Sequence, residues 1–286
     1  LLSQHLFPFE RWDAAWKMVL LNQFHDVLPG SSIRRVCEET EAQLSEVIEI
    51  ATQITEEAAN SLLEKKEDAW TLFNSLSWER DELIELPEGV DGLVSDEGEG
   101  LPVQKTKQSS YTEVHLPPSG WMSFSEGAPG SIENTIVAEP TRLENDLVRV
   151  RFNEFGEITS IFDKHTHQEL AAEKCNNLRM YQDIPAVFDA WDIDSMYLES
   201  PVELADKAKV TVTAQGPLFG QLVVKRRVNH STLIQTITLR RHSRRMDFQT
   251  RIDWQERHKL LKVNFPVRYY AQNALHEIQF GHIERP

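Results

Sequence analysis

Cysteine is scarce in this chain of 286 residues: there are two, Cys37 and Cys175, too few for a disulfide scaffold or a four-thiolate metal site. Basic charge is short as well. The 30 Lys and Arg stand against 45 Asp and Glu, a formal net charge of -15, which excludes a protein whose whole surface is a nucleic-acid footprint. No apolar run approaches the roughly 20 residues of a membrane span, so neither nucleic acid nor membrane is an expected partner. Internal repeats and low-complexity tracts are missing too. An initiator Met is lacking at Leu1, and Pro286 follows directly on a strand-like stretch, so the chain reads as an excised fragment. Leu1 to Glu10 carries no signal peptide, which in a fragment says nothing about the parent protein. Two unpaired cysteines fit a reducing compartment, and the cytoplasm is the expected location.

What is present argues for folded domains. Hydrophobic residues make up 40% and charged residues 26%, enough apolar surface to exclude a disordered chain. The first segment is helical by pattern, because Trp12, Trp16, Val19, Leu20, Phe24 and Val27 fall along one face of a 3.6-period helix. Pro29 and Gly30 stop it. Ser31 and Ser32 are good N-cap residues for a second helix, whose stripe of Ile33, Val36, Thr40, Leu44, Val47, Ala51, Ile54, Ala58 and Leu62 repeats about every 3.6 residues. A short turn between the two predicts antiparallel packing. Glu38, Glu41, Glu46, Glu49 and Glu56 read as its solvated face.

After Lys65 and Lys66 the helical spacing stops and short alternating segments begin, separated by Gly, Pro, Asn and Asp. Strands are predicted at Thr71 to Ser75, Asp81 to Leu86 and Tyr111 to Leu116, with a mobile loop from Pro87 to Pro102. Leu147 to Phe152, a turn at Asn153 to Gly156, and Ile158 to Phe162 form a hairpin. Met246, Phe248, Thr250, Ile252 and Trp254 alternate with polar residues, giving one buried and one wet face. The fold class is α+β and multidomain: an antiparallel helical hairpin or bundle segment, then mainly antiparallel β-sandwich domains. Boundaries fall near Glu67 and, less sharply, Glu139 to Leu143, so the domains are 1–66, a small β domain at 67–142 and a large β-sandwich at 143–286.

The stretch LNQFHDVLPGSS, Leu21 to Ser32, places His25 and Asp26 at a helix end beside a Pro-Gly turn. A lone histidine there is ordinarily a capping or core residue, since an imidazolium suits the negative end of the helix dipole. The wording itself, however, closely resembles the histidine motif of glycoside hydrolase family 38, the retaining zinc α-mannosidases of the bacterial and vacuolar type. Further segments resemble that family in the same order: FNSLSWER from Phe73, LENDLVRVRFNEFGEITSIFDK from Leu143, DAWDID from Asp189, and RIDWQERHKLLKVNFP with EIQFGHIERP from Arg251 to Pro286.

The resemblance implies a middle helical domain leading into β-sandwich domains, with His25 as a ligand of an active-site zinc and Asp26 as a carboxylate that bonds mannose hydroxyls. It also implies that the remaining ligands, a His-x-Asp pair and a nucleophilic aspartate, belong to an N-terminal catalytic domain. The chain contains no His-x-Asp, and His276 does not open an HExxH. A catalytic residue is therefore expected nowhere in it, zinc is expected in the full-length enzyme and not in the fragment, and the fragment is expected to be inactive. The missing catalytic domain and a mannose-containing oligosaccharide are the implied partners, with oligomerisation left open. By the same resemblance the parent reaction is a double displacement.

DAWDID concentrates Asp189, Trp191, Asp192 and Asp194, which is either a sugar platform or a tight surface turn packed by one Trp. His165 and His167 lie in a polar turn and read as solvent-exposed. From Lys225 to Arg268 there are 12 Lys and Arg against Asp247, Asp253 and Glu256. The run RRHSRR, Arg240 to Arg245, is then a phosphate patch or a hairpin meeting an acidic partner surface, and the latter is favoured because aromatic interleaving is missing and the rest of the chain is strongly acidic. A non-catalytic carbohydrate-binding or interaction module is the rival function. If His25 serves a metal, it should be partly exposed with Asp26 beside it, while Trp16, Leu20 and Val27 should be buried against the second helix.

Overall fold

A computed structural model describes residues 7–63, 68–188, 191–279 and 281–286. The chain divides into two compact units. One contains the described residues up to Ala69 together with those of Asp183–Glu199, and the other contains Trp70–Gln182 and Ser200–Pro286.

The first unit is built on two helices, α1 (Phe9–Leu21) and α2 (Arg34–Leu62). They run antiparallel: Arg11 Nη1 meets Glu57 Oε1 at 3.0 Å at one end, and Asn22 Nδ2 donates to Gln43 Oε1 at 2.9 Å at the other. The contact face of α1 is Arg11, Ala15, Met18, Val19 and Asn22, with the small Ala15 buried between the helices. The expected burial of Trp16 and Leu20 is wrong. Trp16 is 46% and Leu20 54% exposed, Val27 is half-buried, and Trp12 stacks on Trp16 with ring centroids 5.9 Å apart and planes 5° from parallel. The apolar arc of α1 is wider than one partner helix covers, and the close approach goes to the side with the smallest residue. On α2 the predicted stripe is half-buried at Val36, Thr40, Val47 and Ile54, whereas Ile33, Leu44 and Leu62 are exposed.

Two local expectations also change. Helix α1 ends at Leu21 and not at the Pro-Gly stop, so Phe24 to Gly30 is a run of turns closed by Val27 N–H to Phe24 O and Gly30 N–H to Val27 O, with Gly30 at φ 74°. Helix α2 begins at Arg34, and Ile33 occupies its cap position without a side-chain bond. Ser31 and Ser32 are not its N-caps, because their hydroxyls turn back to Asp26.

The second unit is antiparallel β structure. Its larger part pairs a five-stranded sheet (Val137–Glu139, Arg142–Glu144, Val148–Phe152, Ile158–Asp163, Gln168–Glu169) with a four-stranded one (Lys209–Gln215, Phe219–Val228, Ser231–Arg240, Met246–Asp253). Alternation decides what faces inward. Leu143, Val150, Phe152 and Ile158 of one sheet form a single core with Leu222, Val224, Ile237 and Leu239 of the other. The two long strands meet in register from Phe219 opposite Arg240 to Val228 opposite Ser231, across a two-residue turn with Asn229 at φ 56°. The turn at Asn153 to Gly156 lies against this sheet. At Gly156, φ is 74° and a Cβ would stand 2.4 Å from Val224 Cγ1, so a side chain is excluded twice over. The strand Met246–Asp253 is at the sheet edge, and its expected buried face opens at the far end, where Ile252 is 39% and Trp254 40% exposed.

The smaller part has one sheet of Arg80–Glu85, Ser110–Leu116 and Val103–Lys105 and another of Ala69–Phe73, Trp121–Glu126 and Leu93–Val94. Leu86, Leu93, Val114, Leu116 and Phe124 form its core. The segment from Pro87 to Pro102 is thus anchored and is not simply a loop, because Leu93 is 1% exposed and Leu101 N–H bonds Leu93 O. Gln104 fastens the smaller part to the larger: its Nε2 donates to Phe219 O, and its Oε1 accepts from the N–H groups of Leu218 and Phe219.

Candidate active-site segment

The turns after α1 carry the sequence-predicted pair. His25 is exposed, with 66% of its side chain open to solvent, and its Nε2 stands 3.7 Å from Asp26 Oδ2. The ring is thus exposed as expected and is not sealed in the helical core. Phe24 backs the ring at 4.2 Å between centroids. Asp26 is held from behind: Ser32 Oγ donates to its carbonyl at 2.8 Å, and Ser31 Oγ lies 3.3 Å from its Oδ1. This second contact is long for a hydroxyl bond to a carboxylate.

Trp191 comes to the same place from 160 residues away. Its Nε1–H donates to Ser31 Oγ at 3.1 Å, and its ring centroid is 6.0 Å from that of His25. The backbone N–H groups of Trp191 and Asp192 both bond Phe188 O. His25, Asp26 and Trp191 are therefore one cluster. Asp192 is exposed and hydrogen-bonds none of the three among the described residues. Asp189, the other substrate-binding candidate, lies outside the described residues. Ser31 was missed as a site residue, since a hydroxyl after Pro-Gly reads as a helix cap and only the folded turn aims it at Asp26.

The histidines of the polar turn, His165 and His167, are exposed as expected. They gather no further ligands: among the described residues no three or more His, Cys, Asp or Glu converge as a metal cluster. The basic run proves to be the hairpin meeting acid. Arg240 faces Glu82 at 3.4 Å, Arg241 faces Glu113 at 3.1 Å, and His242 faces Asp146 at 2.7 Å. Arg244 and Arg245 pair with Asp163 at 2.9 Å and Asp247 at 2.6 Å. Every basic side chain of the turn thus faces a carboxylate, and the 420 Å³ cavity beside it is lined by both signs. The phosphate reading fails on that pairing.

The fold, a helical hairpin followed by a β-sandwich region, is shared with solved structures of larger proteins. An alpha-mannosidase from Enterococcus faecalis V583 superposes with a TM-score of 0.77 at 18% identity, covering 98% of this chain and 41% of the other. Residues 2–62 match the alpha mannosidase middle domain and residues 143–286 the glycosyl hydrolases family 38 C-terminal domain. The chain belongs to glycosyl hydrolase family 38. It is 31% identical over 291 residues to alpha-mannosidase 2C1 of Homo sapiens and 28% identical over 327 residues to alpha-mannosidase G of Dictyostelium discoideum. These alignments cover 99% and 95% of this chain but 27% and 29% of the relatives, so the chain spans little more than a quarter of their length.

Proposed function

We propose that the chain is the helical and β-sandwich part of a zinc-dependent retaining α-mannosidase that removes terminal α-mannosides from glycans or oligosaccharides. The open imidazole of His25 beside the Asp26 carboxylate carries this reading. The donor set fits one corner of a zinc site, since such sites take three or four protein ligands and among the described residues His25, with Asp26 beside it, is what this segment offers. In the parent enzyme the bound metal would hold sugar hydroxyls and polarise them. His25 would supply a neutral ring nitrogen, Asp26 would accept a hydrogen bond from a mannose hydroxyl, and Trp191 with Asp192 would border the sugar. The nucleophile and acid would come from a separate catalytic domain. A cytoplasmic location suits the two free thiols, Cys37 and Cys175.

The test is an aryl α-mannoside assay with added zinc, on the 286-residue chain and on the parent enzyme. The chain alone is expected to be silent, and turnover above background refutes the assignment of catalysis elsewhere. In the parent, His25→Ala is expected to lower zinc content and rate together, while His165→Ala lowers neither. Equal metal loss in both variants would mean folding damage and not coordination.

A further inference from the structure

The indole N–H of Trp191 is a donor with no acceptor capacity, so at the 3.1 Å contact Ser31 Oγ must be the acceptor. The hydroxyl keeps one proton to give. Among the described residues its two acceptors within reach both belong to Asp26, Oδ1 at 3.3 Å and the carbonyl at 3.5 Å. Chemistry therefore orients the chain of bonds from Trp191 to Ser31 to Asp26. One carboxylate oxygen of Asp26 is tethered by this route, and the other, Oδ2, is left facing His25 Nε2 at 3.7 Å. Ser32 fixes the backbone of the same residue. Asp26 is outside any helix and nearly half exposed, so nothing in regular secondary structure sets its rotamer.

We propose that Trp191 and Ser31 are positioning residues, a hydrogen-bond relay that holds the Asp26 carboxylate in place and makes Trp191 a working part of the site. The proposal rests on the reading of Asp26 as a carboxylate that binds mannose hydroxyls. Trp191 acts here through its N–H, not by stacking on sugar, and this separates the relay from a simple aromatic platform. Misplacing a binding group by 1 Å costs on the order of 10²-fold. Loss of one long tether, with the Ser32 bond retained, should cost less, about tenfold.

The experiment is a double-mutant cycle in the parent α-mannosidase with Ser31→Ala, Trp191→Phe, which keeps an aromatic ring but loses the N–H, and the pair. Each single variant is expected to lower kcat/KM on an aryl α-mannoside about tenfold at unchanged zinc content, and the double variant to fall no further. Ser31→Thr, which keeps the hydroxyl, should restore the rate. Additive losses, an unaffected Ser31→Ala, or no rescue by Thr would overturn the relay. A second readout needs neither metal nor activity. In the isotope-labelled 286-residue chain, the indole N–H resonance that Trp191→Phe removes should shift in Ser31→Ala and hold still in Ser32→Ala. A resonance unmoved by Ser31→Ala refutes the bond itself. If instead His25→Ala leaves zinc and rate intact, the site reading fails while the resonance still decides the bond.

Discussion

Asn145 is fully buried and makes four side-chain hydrogen bonds. Its Nδ2 donates to Arg240 O and Ser243 O, both at 2.7 Å, and its Oδ1 accepts from the N–H groups of Leu147 at 2.9 Å and Val148 at 2.8 Å. The residue thus ties the turn before one sandwich strand to the basic turn that faces Glu82 and Glu113. Asn145→Ala removes all four bonds and leaves two carbonyls and two N–H groups without those partners. At about 1 kcal/mol net per bond the loss sums to about 4 kcal/mol, and water entering the space left would reduce it to about 3 kcal/mol. Asn134 is the control, because it is exposed and its side chain accepts from one group, the N–H of Ile136 at 3.0 Å. Asn134→Ala should cost about 1 kcal/mol or less. Urea unfolding followed by the β-sheet circular-dichroism signal measures both, with stability taken from the linear extrapolation. If Asn145→Ala unfolds at the same urea concentration as Asn134→Ala, the account of this turn as an anchored brace is wrong.

The same brace should respond to acid. Asp163 accepts from the backbone N–H of Thr166, which is the chief cause, and from Arg244 and the N–H of His165, and its carboxyl is held down from 3.8 to about 2. A carboxyl lowered on folding contributes stability that is fully present above about 3.8 and is lost as the pH falls toward about 2. Asp163→Asn should flatten that part of the acid-unfolding curve, and an unchanged curve would remove Asp163 from the account. In the helical unit the outcome should invert the ordinary ranking of residues. Trp16→Ala, on the open face, should cost under about 1 kcal/mol. Ala15→Leu, forced between α1 and α2, should cost about 1 to 3 kcal/mol. A larger loss for Trp16→Ala in thermal melts would mean that the aromatic face is packed after all.

The strands most legible in the sequence were those where alternation and turn chemistry agree. Arg80–Glu85, Ser110–Leu116, Val148–Phe152 and Ile158–Asp163 lie within a residue or two of their predicted limits, because turn formers stand at their ends, Pro87 and Pro117 for the first two and Asn153 and Gly156 for the others. The helices were legible as elements, but their faces were not. Both sides of α1 carry apolar residues at helical spacing, and which side is covered depends on how closely another helix can approach. That is settled at Ala15, a residue the hydrophobic pattern does not mark. The basic run from Arg240 could not be resolved by counting charge, since four of its five carboxylate partners, Glu82, Glu113, Asp146 and Asp163, lie roughly 80 to 160 positions away.

By itself, the sequence determined the α+β class, the order of helical hairpin and β-sandwich, and His25 and Asp26 as the residues to watch, because propensity, period and a contiguous motif are properties of neighbours along the chain. Tertiary structure alone decided that the two serines after the Pro-Gly turn serve Asp26 and do not cap α2, and that Trp191 stands over His25. Those contacts join groups whose meeting depends on where separate segments pack, and no local spacing records it.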